Sequence, residues 1–101
     1  MQNLILIVHA QAQQDLGDQL RRLTQIQGFS FTSVEGHSAH SDQDPFMSAR
    51  DKVVGYVPRV RVDILLEDTA IAEVLAALRT GGKLNERGIY WTTPVVEYGR
   101  L

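Results

Sequence analysis

There is no cysteine in the chain, which removes disulfides, thiolate metal sites and cysteine nucleophiles together. No unbroken apolar run is longer than Leu4–Val8, far below the ~20 residues that cross a bilayer as a helix. No basic stretch leads into an apolar stretch and a small-residue cleavage site at the N-terminus, so no secretory signal and a cytoplasmic location are expected. Neither sign of charge dominates. Ten Lys and Arg against twelve Asp and Glu leave a net charge of -2, too even a balance for broad attraction to nucleic acid. What remains is a composition of 44% hydrophobic and 22% charged residues, that of a soluble globular chain rather than a disordered one. At 101 residues it has room for a single domain, 1–101, with a modest core.

Asn3 to His9 is a continuous, β-branched-rich apolar run, suited to a strand buried on both faces. Leu16, Leu20, Leu23 and Ile26 then recur at helical spacing, predicting a helix from about Gln13 to Gln27 that stops at Gly28. Gly17 sits inside that helix at a cost of ~1 kcal/mol against Ala. Phe29 to Glu35 alternates apolar and polar residues and is predicted as a second strand. From Gly36 to about Lys52 the pattern dissolves into turn formers. A structureless loop of ~15 residues is uncommon in a compact domain and is usually functional or disordered.

Val60, Val62 and Ile64 alternate with Arg59, Arg61 and Asp63, the clearest strand in the chain. Pro58 has no N–H for a ladder, so it marks an edge, a bulge or the strand's start. Asp68 is a candidate N-cap for a helix with Ile71, Val74, Leu75 and Leu78 on one stripe, ended by Thr80-Gly81-Gly82. Ile89 to Thr92 forms a fourth strand. The order βαββαβ predicts an α+β, ferredoxin-like fold: a four-stranded antiparallel sheet with both helices on one face. Its other face would be bare, and self-association is the simplest way to cover it.

His37, His40, Asp42 and Asp44 are the densest set of candidate metal ligands. Two imidazoles and two carboxylates suit divalent copper, zinc or nickel without cysteine; the other reading is a solvated polar loop with incidental histidines, since loops naturally collect such residues. His9 is expected to be structural or solvent-facing. Thr80-Gly81-Gly82-Lys83 lacks phosphate-loop spacing and follows a helix instead of preceding one. Lys83, Arg87 and Arg100 would contact a phosphate only if the fold brings loop and tail together. Arg59 and Arg61 share one strand face and could meet an anion there. No nucleophile elbow or paired acid–base set is present, so a non-enzymatic role is expected.

Gly55-Tyr56-Val57-Pro58-Arg59-Val60-Arg61-Val62-Asp63-Ile64-Leu65-Leu66 resembles the Phe-Leu-Pro-Lys-Val-Lys-Ile-Glu-Ile-Val-Val segment of the PII nitrogen-regulatory signalling proteins. Arg79-Thr80-Gly81 is similar to the motif that opens the PII B-loop, and Val34-Glu35-Gly36 to the one that opens the T-loop. The resemblance implies a homotrimer with sheets facing inward, ATP or ADP in the clefts between subunits, and a long T-loop that docks on target enzymes or transporters. Gly36, Lys83, Arg87 and Arg100 are the positions it assigns to the nucleotide. The chain departs from the pattern in several places. Met47 stands where many members carry a modifiable tyrosine, and His40 where a glutamine helps hold Mg-ATP. Asn85-Glu86-Arg87-Gly88 replaces the glycine-rich B-loop, whose backbone N–H groups approach phosphates. These departures resemble a divergent PII-like branch associated with heavy-metal efflux. The expected function is signalling, with a small ligand sensed and a partner contacted through the loop, the alternative being a divalent-metal sensor or carrier.

Overall fold

The computed structural model describes residues 1–37, 57–81 and 88–101. Strand β1, Gln2–His9, passes through a 3-10 turn at Ala10–Ala12 into helix α1, Gln13–Arg22. Strand β2 is Ile26–Gly36 and β3 is Val57–Leu66. A second 3-10 turn, Asp68–Ala70, leads into helix α2, Ile71–Gly81, and β4 is Ile89–Pro94. The sheet order is β2-β3-β1-β4, with every neighbouring pair antiparallel. This is the α+β, ferredoxin-like arrangement expected from the order of elements.

Period-two and period-3.6 patterns meet in the core. Leu4, Leu6 and Val8 of β1 and Val60, Val62, Ile64 and Leu66 of β3 turn to one face of the sheet. Leu16 and Leu20 of α1, and Ala70, Val74 and Leu78 at the start of and along α2, close over them. Each fully buried Val, Leu or Ile side chain contributes roughly 1.5–3 kcal/mol. Leu23, Ile26, Phe29 and Phe31 pack at the margin of this cluster.

Three local expectations are corrected. Helix α1 ends at Arg22, not near Gln27, because Leu23 is already extended (φ -90°, ψ 111°) and Ile26 pairs with Leu66 in the sheet. Ile26 follows the helical stripe, yet a place in the sheet also buries it, and the sheet wins. Gly28 therefore ends no helix. It sits at an irregular step in the β2–β3 register, where two residues of β2 advance against one of β3, as in a β-bulge. Asp68 caps no helix with its side chain: Glu67 is the capping residue of the 3-10 turn, without a side-chain bond. The Asp68 carboxylate instead lies 3.0 Å from the N-terminal ammonium of Met1.

Pro58 obeys the edge rule within a central strand. The β1–β3 ladder ends at His9 opposite Arg59, so at Pro58 only Glu35 of β2 is opposite. The missing N–H leaves no gap between two neighbours.

Candidate functional site

Three neighbourhoods have the chemistry for recognition: the open face of the sheet, the foot of the long connection, and a cavity between α1 and β2.

The open face is made by the residues that alternate with the core set. Cross-strand partners share a face, so one row runs Ser30, Asp63, Ile5, Trp91 and the next Thr32, Arg61, Ile7, Ile89. Arg61 and Asp63 are two apart on β3 and therefore side by side. The guanidinium donates from Nε to both carboxylate oxygens at 3.3 and 3.1 Å, and from Nη2 to Oδ1 at 3.0 Å. From β1, the Asn3 amide donates to the same Oδ1 at 3.1 Å. The hydrogen-bonded Arg61 fork holds the Asp63 carboxyl below its ordinary pKa; partial burial opposes this, and the Asn3 amide supports it. The carboxylate in turn raises Arg61. The anion that Arg61 meets is thus a neighbour on its own strand. On the β1 and β4 side of this set the surface is apolar, while Ser30 and Thr32 flank it on the β2 side. Ile5 is only 1% exposed, although no helix covers it, and beside it Trp91 and Ile89 are 40% and 59% exposed. On the helix side of β4 the Arg79 guanidinium lies 5.8 Å from the centre of the Tyr90 ring, within cation–π range.

At the foot of the long connection, Gly36 ends β2 opposite Val57, the first residue of β3. The last β2–β3 pair therefore sets where the connection leaves the sheet. His37 follows, its Nε2 3.4 Å from Glu35 Oε2, with both side chains about two-thirds exposed. The expected ligands His40, Asp42 and Asp44 lie outside the described residues, as do Lys83 and Arg87. Arg100 is described and exposed in the tail after β4. Among the described residues no three His, Cys, Asp or Glu side chains converge as a metal site would require. His9 is structural, as expected: its Nδ1 accepts from the Gln11 backbone N–H at 3.2 Å and caps the 3-10 turn.

The third neighbourhood was not singled out from the sequence. A cavity of about 450 Å³ opens between α1 and β2, lined by Ala10, Gln11, Gln13, Gln14, Gly17, Arg21 and Phe31. The one signal for it was Gly17, a weak helix former at a buried helical position. Phe31 is held edge-to-face by Phe29, centroids 5.7 Å apart at 74°.

Among the described residues no helix is long and apolar enough to cross a membrane. No curated protein matches the chain. Among solved structures, the crystal structure of a DUF3240 family protein from Shewanella baltica OS155 is similar over 99% of this chain and 94% of its own, at 24% identity and a TM-score of 0.72. That likeness carries the fold. A family model described as a protein of unknown function, DUF3240, matches residues 1–101, and the chain therefore belongs to the DUF3240 family.

Proposed function

We propose that this DUF3240 protein is a non-enzymatic, PII-like signalling protein. It assembles as a homotrimer through the open face of its sheet and contacts a target protein through the long connection between β2 and β3. The observation that carries the reading is the finish of that face. Ile5, Ile7, Ile89 and Trp91 lie beside an Arg61–Asp63–Asn3 set in which one carboxylate takes hydrogen bonds from both the guanidinium and the amide. A surface that is apolar and internally charge-balanced suits burial against copies of itself better than contact with water. The resemblance of residues 55–66 and 79–81 to PII segments supports the same reading, in which the connection from Gly36 to Val57 corresponds to the T-loop.

Sedimentation at micromolar concentration tests the assembly. Three chains of 11.3 kDa should run at about 34 kDa in a closed ring, and a monomer overturns the reading. Titration calorimetry then tests the ligand. Weak or no binding of ATP and ADP is expected, because Asn85, Glu86 and Arg87 stand where the glycine-rich B-loop exposes backbone N–H groups to phosphate. The metal-sensor alternative draws on His37, which stands beside Glu35 at the root of the connection. It requires copper, zinc or nickel to bind and the double change His37→Ala with His40→Ala to abolish the binding.

A further inference from the structure

We propose that the cavity between α1 and β2 is a binding site for a small planar anion, with an aromatic carboxylate as the simplest member of the class. Its volume of about 450 Å³ lies within the range of roughly 300–1,000 Å³ typical of small-ligand sites. The cavity combines three kinds of recognition. The Phe31 ring, fixed by Phe29, offers an aromatic surface. Arg21 offers a planar cation whose fork matches a carboxylate. Gln11, Gln13 and Gln14 also line it, and a carboxamide can both donate to and accept from a ring substituent.

Gly17 is the observation that turns this depression into a site. A glycine inside a helix costs roughly 1 kcal/mol against alanine, so a packing reason would be expected for it. Packing supplies none. A Cβ built on Gly17 would meet Arg21 Nη1 and Phe31 Cε2 at 3.5 Å, and Phe31 Cζ at 3.6 Å, all ordinary van der Waals contacts. The space an alanine methyl would take is bounded by the guanidinium and the ring, at the Gly17 wall of the cavity. Glycine leaves that space unfilled.

Asp18 already takes Arg21 Nη1 at 3.0 Å. The two side chains are 51% and 65% exposed, and such a surface pair is worth at most about 1 kcal/mol. Arg21 has five N–H donors, so a carboxylate can share the guanidinium or displace Asp18. The class follows from this chemistry: planar to lie along Phe31, anionic for Arg21, and small enough for the volume.

The test is an NMR titration of the full isotope-labelled chain with benzoate, alongside benzamide as its neutral counterpart and inorganic phosphate as a non-planar anion. Benzoate should shift the amides of Gly17, Arg21 and Phe31 saturably at millimolar concentration, about tenfold more tightly than either control, which corresponds to about 1.4 kcal/mol. Gly17→Ala should raise the melting temperature while weakening benzoate several-fold. Arg21→Gln should erase the preference for benzoate over benzamide while the fold is kept. No saturable shift, equal binding of phosphate, or unchanged benzoate binding in Gly17→Ala overturns the proposal. The site does not depend on the signalling reading: sedimentation decides the trimer whether or not benzoate binds.

Discussion

The two faces of this sheet are written by alternate residues of the same strands and are finished in opposite ways. Toward the helices β3 presents Val60, Val62, Ile64 and Leu66, all at most 1% exposed. Away from them it presents Arg59, Arg61, Asp63 and Leu65, with the Arg61–Asp63 fork at its centre. β1 is apolar on both sides: Leu4, Leu6 and Val8 join the core, while Ile5 and Ile7 join the open face. The first face excludes polar groups because two helices seal it. The second combines apolar residues with charges that neutralise each other locally. That combination tolerates water, and it is the surface that the proposed self-association would cover. A core can be made from aliphatic residues alone; an association surface also needs groups that set register.

The largest effect should come from the sealed face. Ile64→Ala removes a fully buried side chain from the centre of the core and should lower unfolding free energy by about 2–5 kcal/mol in a urea titration. An open-face change of similar size, Ile89→Ala, should alter monomer stability far less. If the two cost the same, the distinction between the faces fails. Next in size is Trp91→Glu on the exposed edge strand. A charge on this face should weaken the proposed trimer by about 2 kcal/mol or more, which sedimentation would register as dissociation at micromolar concentration with the circular dichroism of the fold retained.

Acid titration sharpens the comparison further. Asp63 has a depressed pKa in the folded chain because Arg61 and Asn3 bond its charged form. Its contribution to stability is therefore complete above the unfolded carboxylate pKa of ~3.9 and is lost as pH falls through the lower folded value. Asp63→Asn should flatten that part of the stability–pH curve between the parent and the variant. A curve that keeps its acid slope in the variant would move the effect to other carboxylates. The smallest expected effect is at the α2–β4 contact. Arg79→Gln loses the guanidinium over Tyr90 and should cost about 0.5–1 kcal/mol, the size of an exposed cation–π contact.

Local pattern was enough for the strand and helix order, because burial on one face imposes a period of 2 or 3.6 on the chain itself. Val60, Val62 and Ile64 announced β3, and Val74 and Leu78 announced α2, without any knowledge of their partners. From that order the antiparallel sheet with both helices on one side followed, since few topologies connect βαββαβ compactly. Boundaries were another matter. Ile26 satisfies the helical stripe of α1 as well as a place opposite Leu66, and only the tertiary sheet decides between them. Asp68 has the chemistry of an N-cap, but the position of Met1 beside it in space decides its partner. The site was legible in the same uneven way. Arg61 and Asp63 were visible as residues of one strand face, two apart, whereas Asn3 reaches Asp63 across 60 positions of chain. Gly17 signalled an oddity in α1, but the cavity exists only because β2 returns to place Phe31 opposite it. Which residues seek burial, and with what period, is written in the chain's local pattern. Only the fold decided which polar groups meet, because hydrogen bonds and cavities depend on distances between elements that no local pattern records.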